Sequence, residues 1–246
     1  MKVEKELRDY LFYGLTKSIL TRVVQFDAPG SYSFEPRLGV KSLLVIIVGA
    51  AGGSGRAQTS SGYSASGGGG GPAQVCFLME KKDLTPIGLV VGGGGAAGTS
   101  SVPNGGTGGT TSFDTLSVSG GLGSLGVVDN QNGAGGSGGS FGGSYPLSTK
   151  RKLLEYPGGS GGAGNRLASP GQGGAGGRIL NSATNNSVNP KDIETIPNLS
   201  ITISGYPDAK GGDGVFKPYS SGGGTVIGNA GSNGFIIIYE FRDGSL

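Results

Sequence analysis

Glycine recurs at every third residue through the middle of this chain, and this spacing limits the possible folds more than any other feature. The repeat falls in three blocks: Gly133, Gly136, Gly139 and Gly142; Gly158, Gly161 and Gly164; and Gly171, Gly174 and Gly177. An α-helix repeats about every 3.6 residues and a strand every two. The extended polyproline-II-type helix has three residues per turn and no internal hydrogen bonds. One edge of such a helix is glycine throughout, so another backbone can approach that edge closely. The repeat therefore predicts short extended helices packed side by side, each donating its amides to its neighbours' carbonyls.

Disorder and collagen are the alternatives to such a bundle. Tracts of glycine and serine are commonly flexible. Ordering a backbone costs about 1–2 kcal/mol per residue, whereas each hydrogen bond returns about 1 kcal/mol net. Isolated blocks would therefore stay disordered unless they were bundled and framed by elements with an apolar core. The blocks are phased and separated by short apolar segments, which favours the bundle. Collagen is disfavoured because the triplet never runs long and prolines number only 12.

Charge and cysteine content exclude several classes of partner. Charged residues make up 14% of the 246 residues, and the net charge of +3 is spread along the chain, which does not favour a nucleic-acid or membrane-surface partner. Cys76 is the single cysteine and lies in an apolar run, so we expect it to be a small core residue. The first nine residues are too charged for a secretory signal, and no run approaches the about 20 apolar residues of a membrane helix. We expect a soluble protein made in a cytoplasm, with no membrane insertion.

The amino-terminal residues 2–20 are predicted to form an amphipathic α-helix. Apolar residues recur at every fourth position, with charged residues elsewhere around the wheel. The apolar stripe consists of Val3, Leu7, Leu11, Leu15 and Ile19. Such a helix packs on its own domain or docks the chain to a larger assembly. Docking is favoured because the remainder of the chain has the pattern of a self-contained domain. The sequence therefore divides into an assembly helix at 1–20 and a glycine-rich domain at 21–246.

From Thr21 onward the pattern is that of short β-strands separated by Gly/Pro turns. Residues 22–27 and 31–35 are predicted to form a hairpin about the Ala28-Pro29-Gly30 turn. Further strands are predicted at 41–48, 73–80, 86–91, 111–118, 199–204 and 235–241. The strand at 41–48 is apolar throughout and is expected to be buried on both faces. These strands predict an all-β sandwich that frames the glycine blocks.

No catalytic, metal or cofactor site is predicted. Residues 43–56 look like the first strand and glycine turn of a dinucleotide-binding unit, with Glu80 in place of the ribose-binding acid. That unit needs a helix amino terminus at the pyrophosphate, and the glycine-rich residues 57–72 cannot form a helix. The chain has no histidine, and its carboxylates are dispersed. Asp208 and Asp213 flank a glycine pair without the spacing of a calcium loop, so a turn is expected there. We expect a protein that is not an enzyme.

Several short motifs, in order along the chain, resemble those of a known family. They are Pro-Gly-Ser-Tyr-Ser-Phe at 29–34, Pro36, Gly39-Val40, a strand into Gly-Ala-Ala-Gly-Gly at 49–53, Val-Val-Gly-Gly-Gly-Gly at 90–95, Gly-Gly-Thr-Thr-Ser-Phe at 108–113, Val-Ser-Gly-Gly at 118–121, and Gly-Ser-Asn-Gly-Phe-Ile-Ile-Ile at 231–238. The set is similar to the glycine-rich domains of tailed-phage tail-fibre and adhesin proteins, over roughly residues 27–241. This resemblance implies a β-sandwich holding a bundle of polyglycine-II helices. Residues 1–20 and the non-glycine inserts at 150–156 and 180–199 depart from the pattern.

The resemblance also implies a non-enzymatic virion protein, assembled in the host cytoplasm, that recognises a host receptor through loops on a rigid scaffold. Tyrosines at loop tips supply contact area and a hydroxyl group, and basic residues suit anionic sugars. The candidate contacts with a host surface protein or glycan are Tyr63, Tyr145, Lys150, Arg151, Lys152, Tyr156, Arg166, Tyr206 and Tyr219. Other virion proteins would bind the amino-terminal helix, and a homo-oligomer remains open. The alternative is a structural virion protein, such as a capsid-decoration, head-fibre or tail-assembly component, without receptor binding.

Overall fold

The computed structural model describes residues 18–60, 62–80, 84–142, 150–167, 172–180, 187–188, 209–218 and 224–243, and every regular element within them is a β-strand. The strands are β1 (Ser18–Phe26), β2 (Gly30–Phe34), β3 (Ser42–Val48), β4 (Ala57–Thr59), β5 (Ser64–Ala65), β6 (Gln74–Glu80), β7 (Ile87–Val91), β8 (Thr111–Phe113), β9 (Leu116–Val118), β10 (Phe141–Gly142), β11 (Lys150–Tyr156), β12 (Ile179–Leu180), β13 (Ser187–Val188), β14 (Phe216–Lys217), β15 (Gly224–Val226) and β16 (Phe235–Asp243). The predicted all-β class is confirmed. Within these ranges no helix has the length and apolar character needed to cross a membrane.

The longer strands form two five-stranded sheets. The first sheet has the order β1-β16-β3-β6-β11, and the second has the order β10-β9-β8-β7-β2. All neighbouring strands in both sheets are antiparallel. The remaining strands form two-stranded ribbons, β12-β13, β14-β5 and β15-β4. The predicted strands at 41–48, 73–80, 86–91 and 235–241 correspond to β3, β6, β7 and β16.

One apolar cluster lies between the two sheets and holds them face to face. Its members include Phe77 of the first sheet and Phe34 and Phe113 of the second, all of them fully buried. The ring centroids of Phe77 and Phe113 lie 6.0 Å apart. Full burial of an apolar side chain of this size contributes about 1.5–3 kcal/mol. The sheets therefore form the apolar frame that the glycine blocks require.

The other face of the first sheet is also buried. Leu44, Ile46 and Val48 of β3 belong to a second apolar cluster, together with Cys76 and Ala209. The remaining β3 residues Leu43, Val45 and Ile47 belong to the cluster between the sheets. β3 is therefore buried on both faces, as its uninterrupted apolar run predicted.

Cys76 is buried in this second cluster, as predicted, and its thiol should be unreactive in the folded protein. Burial raises the pKa of the Cys76 thiol from its ordinary value of 9.0 to about 12. The nucleophilic thiolate is therefore scarce at neutral pH. We expect a thiol reagent at pH 8 to modify the native protein at least about a hundredfold more slowly than the protein in denaturant. Equal labelling rates would contradict the burial.

Because the pKa of Cys76 is higher in the folded protein than in the unfolded protein, the free energy of unfolding should fall as pH rises from 9 towards 12.

The predicted hairpin at 22–35 is wrong, because its two strands belong to different sheets. β1 pairs with β16 in the first sheet, and β2 pairs with β7 in the second. Val24 and Phe26 of β1 and Tyr32 of β2 all pack onto the cluster between the sheets, and the centroids of the Phe26 and Tyr32 rings lie 5.2 Å apart. The connection crosses the edge of the sandwich, where the Tyr32 hydroxyl donates to the Ala28 carbonyl at 2.8 Å. Backbone pairing of β1 with β16 and of β2 with β7, together with the partly buried side chains that pack on this core, outweighs the local pairing that the turn residues suggested.

Three other boundaries differ from the prediction. The strand predicted at 111–118 is a hairpin of β8 and β9, whose turn begins at Asp114 with φ of 54°, a left-handed conformation that Asp tolerates. The predicted helix end at 18–20, which includes Ile19, is instead the start of β1, where Ile19 pairs with Arg242. Residues 18–20 are extended because their backbone N–H and C=O groups find hydrogen-bond partners on β16. The insert at 150–156 forms the edge strand β11. The predicted strand at 199–204, and Val3, Leu7, Leu11 and Leu15, lie outside the described residues.

Both sheets continue at one end into glycine-rich segments. β3, β7, β9 and β11 lead into segments of this kind, and β6, β8, β10 and β16 begin where such segments end. Two of them, 49–56 and 66–73, are surrounded by the others, and we call these the inner segments. The outer segments are 92–98, 103–109, 119–127, 133–140, 158–164, 172–178, 210–214 and 228–234. Together these described segments form one body, the glycine bundle.

The segments are joined by backbone hydrogen bonds that repeat every three residues, and the predicted exchange of amides and carbonyls between glycine blocks is therefore present. Along the first inner segment, successive backbone N–H groups donate to three different neighbouring segments, at 2.8 to 3.2 Å. Gly49 donates to Ala73 and Gly52 to Gly70, both in the second inner segment. Ala50 and Gly53 donate to Gly109 and Gly106, and Ala51 and Ser54 donate to Ser232 and Asn229. The outer segment 133–140 shows the same period in burial, since Gly133, Gly136 and Gly139 are buried while Ala134 and Ser137 are exposed.

A carboxylate also joins two of the outer segments. Asp213 accepts from the Gly176 N–H at 2.8 Å and from the Lys210 Nζ at 2.6 Å. Burial raises the pKa of Asp213, but the hydrogen bonds from Lys210 and Gly176 outweigh it and hold this pKa below 3.8. Asp213 thus cross-links the segments 172–178 and 210–214. Among the described residues there is no group of three potential metal ligands.

Replacing Asp213 by asparagine should therefore lower stability modestly and in a pH-dependent way. A depressed pKa gives stability that is present above the unfolded value of 3.8 and is lost as pH falls through the folded value. Because the carboxylate is half exposed, we expect Tm at pH 7 to fall by only about 1–3 °C in Asp213→Asn. Scanning calorimetry from pH 2 to 7 measures this, and the two proteins should converge below pH 3.8. A difference that stays constant over this range would contradict the assignment.

Candidate functional site

The glycine bundle ends in a group of loops at its far side from the sheets. β3 leaves the sandwich at Val48, next to the start of β16 at Phe235, and the segments that follow run away from this level before they turn. The termini of the described chain lie at the opposite end of the molecule, where Ser18 pairs with Asp243. The loops, which we call the loop end, comprise residues 56–60, 62–65, 99–103, 128–132, 165–167, 215–218 and 224–227.

Backbone pairing joins these loops into one surface. β4 pairs with β15 and β5 with β14, so the loop at 56–65 touches two others. Single bridges connect Ala57 with Val127 and Ala65 with Asn132. Ser60 donates both its backbone N–H and its hydroxyl to the carboxylate of Asp129. The loop end is therefore a cross-linked platform rather than a set of independent loops.

An aromatic pair and a basic residue lie on this platform. The Tyr63 and Phe216 rings are parallel within 8°, with centroids 6.2 Å apart, and Tyr63 is 46% exposed. Arg166 donates its backbone N–H to the Asn132 side-chain oxygen at 2.9 Å, and Asn132 in turn bridges to Ala65, the partner of Phe216. The predicted candidates Tyr63 and Arg166 are thus brought to the same end of the molecule from loops about a hundred residues apart in sequence.

The other predicted contacts do not join this group. Lys150, Arg151 and Lys152 belong to the edge strand β11 and pair with Met79, Leu78 and Phe77, towards the end of the sandwich away from the bundle. Tyr156 ends the same strand and packs, half-buried, against the second apolar cluster. Its expected position at a loop tip is therefore wrong. The apolar neighbours on that sheet face decide its position. Tyr145, Tyr206 and Tyr219 lie outside the described residues.

Several apolar residues of the loop end were not among the candidates predicted from the sequence. Val102, Leu167 and Ile227 are 62%, 75% and 60% exposed, and Phe216 stacks on Tyr63. They share one feature that could have been recognised in the sequence: each lies where the glycine repeat is interrupted between two segments. A loop must lie at such an interruption, because the three-residue period stops there.

Electrostatics at the loop end are mixed. Arg56 donates from Nη1 to the Ser100 carbonyl at 2.5 Å, which ties the loop at 99–103 to the first inner segment. Asp129, Arg166 and Lys217 add charges of both signs to the loop end. Amide, hydroxyl and charged groups beside an exposed flat ring suit reversible binding of a polar ligand or a protein surface.

A family model matches most of this chain. The sequence matches the family described as "Glycine-rich domain" over residues 27–236, which spans the sandwich and the glycine bundle from the end of β1 to the start of β16. No curated protein matches the chain. Since the family match covers most of the sequence, the chain belongs to the glycine-rich domain family.

Proposed function

We propose that the chain is a non-enzymatic virion protein of a tailed phage, a tail-fibre or tail-tip adhesin that binds a host surface protein or glycan. The observation that supports this role most is the polarity of the molecule. The loops gather at one end of a hydrogen-bonded bundle, and the described termini lie at the other. A chain attached to the virion through residues 1–17 and assembled in the host cytoplasm would then present the loop end outward.

We also propose that the glycine segments are polyglycine-II helices. Three features support this geometry: hydrogen-bond partners recur every three residues, burial follows the same period, and no glycine of the described bundle has positive φ. The described glycines with positive φ, Gly30, Gly39 and Gly224, all lie outside the bundle. Amide exchange tests the proposal. Slow exchange at 49–56, 66–73, 133–140 and 158–164 is expected, and exchange at the rate of an unfolded chain would overturn it.

Receptor contact is proposed for Tyr63, Phe216 and Arg166. The aromatic pair offers rigid area with little side-chain entropy to lose, and Arg166 can pair with an anionic group. Residues that carry most of the energy in such contacts are enriched in Tyr and Arg. The adjacent polar loops can vary with little effect on the bundle, since β4 and β5 pair with strands of other loops in the platform.

A cell-binding assay tests this proposal. The labelled full chain should bind bacteria that support the phage, and Tyr63→Ala should weaken binding at least about tenfold, which is about 1.4 kcal/mol. Leu38→Ala is the control, because Leu38 is 77% exposed in the turn before β3, at the opposite end of the molecule. Equal binding by both variants, or equal binding to cells stripped of surface glycans and outer proteins, would contradict receptor recognition.

A structural virion role, as a capsid-decoration, head-fibre or tail-assembly component, is the second candidate. Apolar side chains exposed on the flank of the bundle favour it, since Leu122 and Leu125 are 48% and 62% exposed. Such a flank suits lateral contacts within an assembly. Localisation by immunogold labelling of intact particles separates the two roles. Many capsid-bound copies support decoration, whereas label confined to the tail tip supports the adhesin.

A further inference from the structure

One flank of the glycine bundle carries a line of exposed apolar side chains. Leu122, Leu125 and Val128 are 48%, 62% and 45% exposed. They recur every third residue along the outer segment 119–127 and its end, while Gly121, Ser124 and Val127 are buried. The three side chains therefore point from the same side of the bundle, and we call them the apolar ridge.

The surface beside the apolar ridge carries no charge. The flanking outer segments present small uncharged residues outward: Asn104, Thr107 and Thr110 on one side, and Ala134, Ser137 and Ser140 on the other. Between residues 103 and 140 the only charged residues are Asp114 and Asp129, at the two ends of this face. Asp114 lies in the β8–β9 turn, and Asp129 binds Ser60 at the loop end. Soluble surfaces normally mix charges throughout, whereas the buried core of an interface is depleted of them.

We propose that the apolar ridge is the contact between copies of this chain, which pack with their bundles parallel and their ridges facing. The spacing of the ridge selects this occupant. At three residues per layer the side chains lie about 9 Å apart along the bundle. An α-helix places successive side chains of its apolar seam about 5 Å apart, and a strand places side chains of one face about 6.6 Å apart. A second copy of the chain has the same spacing of about 9 Å, so each apolar side chain of one ridge can face one of the other. No charged group has to be desolvated in this contact.

The parallel arrangement places Leu122, Leu125 and Val128 each against the same residue of the other copy. It keeps the loop ends of all copies pointing in one direction, as the proposed adhesin requires, and in this respect it rests on the proposed function and on the polyglycine-II geometry. An antiparallel arrangement would instead set Val128 against Leu122 of the other copy. The two orientations therefore predict different cross-links.

The oligomeric state of the full chain is the first test. Light scattering during gel filtration should give a multiple of the 24.3 kDa chain mass. Leu125→Lys should give the monomer, with the dissociation constant raised at least about a hundredfold by like charges facing each other. Ala175→Lys is the matched control, since Ala175 is an exposed outward residue of another outer segment, and it should leave the assembly intact. Equal melting temperatures would show that both variants fold. A monomeric wild type, or an intact Leu125→Lys assembly, overturns the proposal.

Disulfide trapping then fixes the orientation. Cys76 is buried, so an introduced cysteine is the reactive thiol. Oxidised Val128→Cys should run as a covalent dimer on a non-reducing gel, while Ala175→Cys should not. Linkage that requires mixing Val128→Cys with Leu122→Cys means antiparallel packing and overturns the proposal. Cell binding is measured independently, so failure of the oligomer leaves the adhesin role to its own test.

Discussion

Replacing Gly70 by alanine is expected to lower the free energy of unfolding by about 3 kcal/mol or more. Gly70 lies in the second inner segment, and a Cβ atom there would overlap the Ser137 carbonyl oxygen. The obstructing atom is backbone, and its segment is hydrogen-bonded to its own neighbours, so it cannot rotate away as a flexible side chain would. The Gly70 N–H also donates to the Leu122 carbonyl at 2.8 Å, which ties the two segments at this point. Either the bundle opens locally or three segments shift together.

Scanning calorimetry measures the effect of Gly70→Ala. For a chain of this size the expected loss corresponds to a fall in Tm of about 6–12 °C. The control is Gly88→Ala in β7, where an added Cβ meets nothing within 4 Å. That variant should be neutral or stabilised by up to about 1 kcal/mol, because alanine restricts the unfolded chain. If Gly70→Ala were as stable as Gly88→Ala, the segments could not be in backbone contact as described.

Replacing Ser124 by alanine is expected to cost about 2–4 kcal/mol. Ser124 belongs to the outer segment 119–127 and is 2% exposed. Its hydroxyl accepts from the Gly55 N–H at 2.9 Å and donates to the Gly67 carbonyl at 2.6 Å. One hydroxyl thus links both inner segments. Alanine preserves the Cβ but leaves a buried N–H and a buried carbonyl without this partner, and each unsatisfied group costs about 1–3 kcal/mol.

Ser137→Ala is the control for Ser124→Ala. Ser137 occupies an exposed outward position of the segment 133–140, so losing its hydroxyl should change stability by no more than about 0.5 kcal/mol. Urea denaturation of the three proteins, followed by circular dichroism, gives the differences directly. A Ser124→Ala protein as stable as Ser137→Ala would show that water or a rearranged neighbour replaces the hydroxyl.

The long apolar strands could be predicted because their pattern is local. The unbroken run in β3 and the Phe-Ile-Ile-Ile-Tyr-Glu-Phe run in β16 each indicate burial without reference to any other part of the chain. The partner of β1 could not be predicted in this way. The turn after it suggests a hairpin, whereas β1 pairs with a strand more than two hundred residues away. Sequence spacing does not record which sheet offers a strand the better apolar surface.

The candidate site could likewise be predicted only in part. Tyr63 and Arg166 could be placed at loop tips because they interrupt the glycine pattern, and the structure brings them to one end of the molecule. Lys150, Arg151 and Tyr156 also interrupt that pattern, yet they form an edge strand. An interruption of the pattern marks where a bundle segment stops but not at which end of the bundle it stops. That depends on the direction of each segment.

The spacing of glycine at every third residue was enough to predict that these segments pack closely together, because a Cβ atom at such positions would overlap the neighbouring backbone. The apolar runs likewise predicted the strands that frame these segments. The folded chain was needed to show which segments are inner and which are outer, where the loops meet, and that one flank presents an apolar ridge. Those features depend on contacts between residues far apart in the chain, and a repeat of nearly identical glycine triplets carries no information about which copy lies beside which.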